Sequence, residues 1–371
     1  MNASLWIRTG LSIFVAMVAI VYVVTHRDEE TALMRQGAAE LVKKRMGEVV
    51  APVLPPADTE ESSAAPARRQ VAEAPVFSGM SVENLAGELA KSLTPEFLAT
   101  FTKGRGETAD NLVLAADLTK DTSYLYRAAS LFPESPAVQL RLARLDGTPG
   151  DFAAVLVALR KGAPDNALVD YLSAARHFGN GENAAGLEDV RQGNRKREIT
   201  DYSASLSQSA EDAYVNIGYP EAQAKLAAHF INAVAIQTAI LKTCSAGLLA
   251  LQKAAAQEGN QAAVADISRE GVAMCHLVKD QARSSTISAL VNNDEGRFLM
   301  ALPGDSEVPG LAQTVDARFE ALALWKAEFN QATEGNDERL HQLSDSELLE
   351  YAEVEKRSGD LAAMRWLRDR R

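Results

Sequence analysis

The sequence predicts an all-α protein that begins with a transmembrane helix. An apolar run of membrane-spanning length lies near the N-terminus, at residues 5–25. From about residue 81 onwards, residues that start and end helices recur at short intervals. No run of alternating β-branched residues bounded by turn residues appears, so we expect no sheet.

Residues 5–25, LWIRTGLSIFVAMVAIVYVVT, form the predicted transmembrane helix, with Ser12 the one polar side chain in its longest apolar stretch. As a helix, about twenty residues rise about 30 Å, which is the thickness of the hydrocarbon core of a bilayer. Arg8 can extend its side chain to the headgroups beside Trp6. Residues 1–4 would then be a short cytoplasmic N-terminus.

A cleaved signal peptide is the alternative interpretation of this segment, because it also has a basic start and an apolar core. Cleavage requires small residues, and the sequence after Val24, THRDEE, has no A-x-A-like pair. An uncleaved signal anchor is therefore favoured. Arg8 and the terminal amine precede the core and a long domain follows it. We therefore expect a single-pass membrane protein whose C-terminal domain is periplasmic or extracellular.

Two segments separate the predicted anchor from the folded body. Residues 26–50 contain TALMRQGAAELVKKRMGEV, residues 31–49, whose apolar side chains recur at helical intervals. This predicts a juxtamembrane helix, either a short coiled-coil stalk or a solvated helix near the membrane. Residues 51–80 are rich in proline and alanine and have no apolar period, which predicts a semi-extended linker.

Composition limits the classes of partner. Among its 371 residues the chain has 50 acidic and 38 basic side chains, which gives a net charge of −12. Binding to nucleic acid requires clustered basic side chains, so we expect no nucleic-acid partner; the acidic surplus also favours solubility. A hydrophobic content of 47% with only 6% aromatic residues indicates helices that pack on small side chains.

Capping residues mark the helix boundaries in the body. Pro95 and Pro136 each follow a Ser or Thr and are predicted to occupy the first helical position. Ser344 and Glu347 have the spacing of a capping box. Between residues 81 and 192 most helices are predicted to be about 10–13 residues long with short turns between them, which is typical of paired-helix repeats.

One stretch, residues 124–193, matches a family pattern for paired helices. The matching residues are Ala128, Leu131, Pro133, Pro164, Asp165, Asn166, Tyr171, Leu172, Ala174, Gly179 and Ala184. They make the stretch similar to tetratricopeptide (TPR) repeats, in which a helix ends in an Ala-x-x-Leu-x-Pro-like pattern before a polar turn. Pro133 and Pro164 are 31 residues apart, whereas the family repeat has about 34 residues. Unrelated helical hairpins are the alternative.

The resemblance implies a binding function. TPR-like repeats over residues 81–204 would expose a helical surface that binds protein or peptide partners. The sequence therefore predicts a membrane-anchored envelope scaffold, held in the membrane through residues 5–25. The alternative is an envelope enzyme whose site a single sequence does not reveal.

The C-terminal region, residues 205–371, is predicted to contain a long antiparallel helical hairpin over residues 220–293. If the hairpin turns between residues 259 and 260, facing residues have numbers that sum to 519, and Cys244 and Cys275 have this sum. Both would lie in an oxidising compartment, which predicts a structural disulfide between them. Two buried free thiols are the alternative.

A further amphipathic helix is predicted over residues 313–333. Its apolar side chains are spaced to face the core: Val315, Phe319, Leu322, Trp325 and Phe329. Two short helices around Gly359 complete the chain, and Trp366 and Leu367 are expected to pack back on the body.

Motifs for catalysis and cofactor binding are absent from the sequence: it has no Gly-rich phosphate loop and no H-E-x-x-H, C-x-x-C or G-x-S-x-G motif. We therefore predict no catalytic residue, cofactor or metal. Cys244, Cys275 and His276 would supply only three ligands of a structural zinc, which needs four. The remaining candidates are interpreted as ordinary features of an acidic helical protein: His177, His229, His341, Asp294-Glu295 and Glu347 with Glu350.

Overall fold

The protein is all-α in the part of the chain that the computed structural model describes. That part comprises six ranges: residues 92–145, 152–232, 236–282, 284–308, 310–340 and 342–370. Within them lie sixteen helices and no strand, with two isolated β-bridges. The predicted fold class is therefore confirmed at this level. The predicted transmembrane helix, juxtamembrane helix and linker lie outside the described residues, and no described helix is long and apolar enough to span a membrane.

The helices follow one another with short connections. The first eight are α1 (Pro95–Arg105), α2 (Ala109–Thr119), α3 (Thr122–Leu131), α4 (Pro136–Leu142), α5 (Phe152–Gly162), α6 (Ala167–Gly179), α7 (Asn183–Asn194) and α8 (Ser203–Ile217). The other eight are α9 (Glu221–Asn232), α10 (Ile236–Gln257), α11 (Gln261–Gln281), α12 (Ser285–Leu299), α13 (Val315–Thr333), α14 (Asn336–Leu340), α15 (Asp345–Ser358) and α16 (Asp360–Asp369).

The predicted capping residues start helices. The Thr94 hydroxyl accepts a hydrogen bond from the backbone N–H of Phe97 at 3.2 Å, and α1 begins at the following proline. The capping box is also present, because the Glu347 carboxylate accepts a hydrogen bond from the backbone N–H of Ser344 at 2.8 Å. Both capping hydrogen bonds join residues that are close in sequence, so these helix starts do not depend on tertiary contacts.

The long hairpin is shorter than predicted. Helices α10 and α11 pack on each other, but the second arm ends at Gln281, and α12 begins a new helix at Ser285. The break is stabilised from a distance: Asp360 accepts hydrogen bonds from the backbone N–H and the hydroxyl of Ser285, at 2.5 and 2.9 Å. The start of α12 is therefore capped by the first residue of α16.

Consecutive helices pack against each other from α1 to α7, and α8 returns to pack on α1 and α2. Helices α10 and α11 then cover α6 and α7, while α15 packs on α9 and α16 packs on α15. The main hydrophobic core lies among α4–α7 and α10–α12, and smaller clusters lie under α1, α8 and α9 and among the C-terminal helices. Leu367 and Trp366 pack in the C-terminal cluster, as the sequence predicts.

Helix α6 lies at the centre of the main core, and its residues from Ala167 to Ala174 are all buried. Its aromatic rings occupy space beside glycines of the neighbouring helices. A β-carbon added at Gly193 on α7 would stand 2.5 Å from the Tyr171 ring, and one at Gly247 on α10 would stand 2.3 Å from the Phe178 ring. Both separations are far below van der Waals contact, so these glycines permit the close approach of α7 and α10 to α6.

Helix α13 differs most from its prediction. Of the five apolar residues expected to face the core, only Val315 is buried. Phe319 and Leu322 are partly buried against the main core, and Trp325 and Phe329 are half-buried. The helix packs on α12 and on α16, so its apolar face is only partly covered by the described residues.

We expect Gly247→Ala to destabilise the body, because its methyl group would overlap the Phe178 ring. Overpacking of this kind costs about 1–3 kcal/mol of the free energy of unfolding, measurable by urea denaturation followed by far-UV circular dichroism. Gly104→Ala is the matched control, because Gly104 is helical and has no atom within 4 Å of its added β-carbon. That change should leave stability unchanged or raise it by up to about 1 kcal/mol. Equal losses in both variants would contradict the packing argument.

Candidate functional site

The TPR-like stretch, residues 124–193, folds into paired helices in its described part. Helix α4 packs on α5, and α6 packs on α7. The helices are therefore paired as predicted, while the repeat type stays a prediction. Helix α6 is covered by α10, so it offers little surface to a partner. The exposed large apolar side chains of this stretch lie on α3 and α5 instead.

Exposed apolar side chains on α3 and α5 form the first candidate site. Leu131 is 49% exposed and Val157 is 66% exposed. The Lys161 ammonium lies 2.7 Å from the Glu134 carboxylate, which ties the end of α5 to the turn after α3. Val157 precedes Lys161 by four residues in α5, which is about one helical turn, and Leu131 is the last residue of α3, three residues before Glu134. We call Leu131 and Val157 the α3–α5 patch.

A network of charges joins α5, α6 and the end of α7 beside this surface. Its centre is Asp170, which is 1% exposed. The Arg160 guanidinium lies 3.1 Å from one Asp170 carboxylate oxygen, and the Lys196 ammonium lies 2.6 Å from the other. Asp189 continues the network, with an oxygen 3.5 Å from His177 Nε2. Two cations compensate the buried carboxylate, so the network can hold three consecutive helices in register.

A second buried charge, Glu295 on α12, meets side chains from α11 and α13. One Glu295 oxygen accepts hydrogen bonds from His276 Nε2 at 2.8 Å and Arg318 Nε at 2.6 Å. The other accepts from Arg318 Nη2 at 2.7 Å. Burial alone would raise the pKa of Glu295, but these donors lower it to about 2. A carboxylate held ionised by three donors does not act as a general base, so this triad is a clamp between helices.

Asp294, the neighbour of Glu295, is held differently. It is 3% exposed, and burial raises its pKa against the opposing effects of Ser245 and Arg297. Neighbouring carboxylates whose pKa values move in opposite directions occur at acid–base sites. Here both side chains are buried, in contrast to an ordinary solvated pair. A substrate would reach them only if α12 were uncovered.

The two cysteines lie in the main core as free thiols, and both are buried. The Cys244 thiol donates a hydrogen bond to the backbone carbonyl of Tyr171 at 3.1 Å. Burial raises the pKa of both thiols, which disfavours the nucleophilic thiolate. Across the same hairpin the Gln252 amide donates to the Ser268 hydroxyl at 2.7 Å, and these residue numbers sum to 520. The residue numbers of the two cysteines sum to 519, so Cys244 and Cys275 lie nearly opposite each other in the hairpin.

Gly271 lies one helical turn before Cys275, but its close neighbour is on α12 rather than on the other arm of the hairpin. A β-carbon there would stand 2.6 Å from the Phe298 ring, so this glycine makes room for α12. The predicted disulfide consequently depends on how closely α10 and α11 approach at the cysteines themselves. It stays a prediction.

The remaining sequence candidates divide between structural contacts and residues whose side chains are not described. His177 and His276 belong to the two charge networks above. The side chains of His229 and His341 fall outside the described part. Glu347 caps α15, and Glu350 accepts a hydrogen bond from Arg370 at 2.8 Å.

The buried charges were missed by the sequence interpretation, although a signal was present. Glu295 follows Val291 by four residues and precedes Phe298 by three, which places it on the apolar face of α12. Asp170 lies between Val169 and Tyr171, which are both buried. A charged residue on an apolar helical face indicates a buried ion pair, but helical spacing does not identify its partners.

Neither a metal-binding cluster among the described residues nor a match to a known protein identifies a functional site. Among the described residues, no group of three or more His, Cys, Asp or Glu side chains is arranged to hold a metal ion. Comparison with known proteins gives no match to a family model, to a curated protein or to a solved structure. A function for this protein therefore has to be argued from its own residues.

We expect the free energy of unfolding to fall as the pH is lowered from about 5 towards 2, because Glu295 must take up a proton on unfolding. Its pKa is about 2 in the folded protein and 4.5 ordinarily, so its contribution is present above pH 4.5 and is lost on acidification. The full contribution is about 3 kcal/mol, at 1.36 kcal/mol per pKa unit. Urea denaturation at several pH values measures it.

Glu295→Gln should flatten this pH dependence and lower stability at pH 7 by about 3–5 kcal/mol, because Arg318 loses its buried partner. Glu134→Gln is the control, since it removes an ion pair between exposed side chains and should leave the pH profile nearly unchanged. A profile in Glu295→Gln as steep as that of the parent protein would show that the clamp does not hold Glu295 ionised.

The predicted disulfide is tested by mass spectrometry of the purified protein, with thiols blocked at cell lysis. We expect a mass lighter by two hydrogens before reduction, because the two cysteines lie nearly opposite each other in the hairpin and, under the predicted topology, in an oxidising compartment. The bridge would close a loop of about thirty residues and stabilise the protein by about 3–4 kcal/mol. Cys244→Ser is the control for the mass shift. Two alkylatable thiols in unreduced, unfolded protein would contradict the bridge.

Proposed function

We propose that this protein is a membrane-anchored scaffold of the cell envelope that binds a protein or peptide partner through a helical-repeat surface. Residues 5–25 would anchor it as a single-pass helix, and residues 51–80 would tether the body on the periplasmic or extracellular side. TPR-like repeats over residues 81–204 would supply the binding surface.

The α3–α5 patch is the observation that carries this proposal. Leu131 and Val157 expose apolar surface on helices of the TPR-like stretch, and the Lys161–Glu134 ion pair joins the end of α5 to the turn after α3. An apolar centre with a charged rim is the usual composition of a protein interface. Single exposed apolar residues are common on any surface. The argument therefore depends on these two lying on helices that the Lys161–Glu134 ion pair connects, since it joins the end of α5 to the turn after α3.

Helix pairing supports the same proposal. Helices α1 to α7 each pack on their sequence neighbours, as the helices of paired-helix repeats do. A tether of about thirty residues would hold this surface near the membrane at an effective concentration in the millimolar range for membrane-bound partners. The acidic body would favour partners with basic or neutral surfaces over nucleic acid.

An envelope enzyme is the second candidate, and one observation favours it. The pKa of Asp294 is raised and the pKa of its neighbour Glu295 is lowered. Against this, both carboxylates are buried, and Glu295 is saturated by donors from His276 and Arg318. We therefore rank the scaffold first.

A photo-crosslinking amino acid at position 157 tests the scaffold in intact cells. We expect it to trap one protein reproducibly, identified by mass spectrometry, because Val157 is exposed at the patch. Leu131→Asp should reduce that product by about tenfold, since burying a charge at an apolar contact costs more than 1.4 kcal/mol.

The matched control is the same crosslinker at position 215, because Val215 is also exposed but lies on α8. It should not trap the same protein. Equal yields at both positions, or yields unaffected by Leu131→Asp, would contradict binding at the patch. Substrate turnover abolished by Asp294→Asn, in a protein that still folds, would favour the enzyme instead.

A further inference from the structure

Lys279, near the end of α11, is a partly buried lysine whose ammonium forms no ion pair among the described residues. It donates a hydrogen bond to the side-chain oxygen of Asn292 on α12, at 2.9 Å, and that acceptor is neutral. Other lysines of the body meet carboxylates instead: Lys161, Lys196 and Lys225 lie 2.6–2.7 Å from a carboxylate oxygen. The positive charge of Lys279 therefore lacks the compensation that these lysines have.

The charged groups around Lys279 favour its neutral form. Burial and the positive charge of Arg318 on α13 lower the pKa of Lys279. Opposing effects come from Glu295, Asp280 and Cys275. The first of these is already engaged by donors from α11 and α13, and Asp280 is exposed to solvent. A desolvated lysine beside another cation is an activated nucleophile, because the neutral amine reacts and the ammonium does not.

The Asn292 side chain indicates what this amine would hold. It is 6% exposed, and its oxygen already accepts the hydrogen bond from Lys279. Its amide nitrogen, at the other end of the same group, is buried and has no hydrogen-bond partner among the described residues. Buried donors are rarely left unpaired, because they have lost their bonds to water. The site therefore lacks one hydrogen-bond acceptor next to the Lys279 amine.

Carbon dioxide would supply this acceptor. The lone pair of the neutral amine forms a bond to its carbon, one C–O π pair moves onto oxygen, and the nitrogen releases a proton to solvent. The product is a carbamate, and no other reactant is needed. One carbamate oxygen lies on the same side as the N–H, so the N–H can donate to the Asn292 oxygen while that oxygen accepts from the Asn292 nitrogen. A trans amide, which an acyl donor would form, has its oxygen on the opposite side and cannot use both ends.

We propose that Lys279 is a carbon dioxide-binding site, at which the amine reversibly forms a carbamate held by the Asn292 side chain. The negative charge of the carbamate lies near Arg318, and water screens it from the exposed Asp280. Binding replaces a cation by an anion beside the Glu295 clamp that joins α11, α12 and α13. The site requires neither a membrane nor a partner, so it does not rest on the proposed scaffold function.

Trapping the carbamate on the full chain tests this proposal. The protein is incubated with carbon-13 bicarbonate, which is in equilibrium with carbon dioxide. Triethyloxonium then converts carbamates into stable ethyl carbamates, which are mapped by digestion and mass spectrometry. We expect at least about tenfold more product at Lys279 than at Lys161, because each unit of pKa changes the neutral fraction tenfold. Lys161 is the matched control, since it is exposed and its hydrogen bond to Glu134 raises its pKa.

Asn292→Asp nearly keeps the size of the side chain but replaces the buried donor with a carboxylate, which holds Lys279 as an ammonium. It should reduce the product at Lys279 by at least about tenfold and leave that at Lys161 unchanged, with circular dichroism as the check of folding. Lys279→Arg should remove the carbamate signal from the carbon-13 NMR spectrum.

The comparison within the parent protein decides the proposal even if Asn292→Asp does not fold. Equal products at Lys279 and Lys161, or no product at Lys279, would overturn it. So would an unchanged yield in folded Asn292→Asp, or a carbamate signal that persists in Lys279→Arg.

Discussion

The burial of α6 between its neighbours is the constraint on which the body depends. Eight consecutive residues, Ala167–Ala174, are buried because α7 and α10 approach the helix closely. Each approach requires a glycine, since the Tyr171 ring occupies the space beside Gly193 and the Phe178 ring that beside Gly247. Interiors packed at this density tolerate little displacement. The positions of α11 and α12, which pack on α7 and α10, therefore follow from the same contacts.

Two buried carboxylates add specificity to this packing. Asp170 joins α5 and α6 to Lys196 just beyond α7, and Glu295 joins α11, α12 and α13. A buried charge without its partners costs about 3–5 kcal/mol, so helix arrangements that separate these groups are strongly disfavoured. Apolar contacts of similar area could form in several registers. The charges admit only the register in which Arg160, His276 and Arg318 meet their carboxylates.

The predictable part of the fold is the part that local chemistry decides. The helix starts at Thr94 and Ser344 follow from capping side chains within three residues, and the structure has both. The break before α12 was not predictable in this way, because its capping residue, Asp360, lies 75 residues away. The apolar spacing of α13 likewise fixes which side chains share a face, but not what covers them. For the same reason the burial of Glu295 could be predicted from its place on a helix, whereas its partners could not.

The contrast between a tightly packed centre and a partly covered edge bears on function. The centre cannot open to a ligand without separating the rings of Tyr171 and Phe178 from the glycines beside them. Binding therefore has to use surfaces that the core does not need, and the α3–α5 patch, Leu131 with Val157, is one of them. This surface is small, and small surfaces bind usefully only when their partners are held nearby. The proposed membrane tether would meet that condition for a partner in the same membrane.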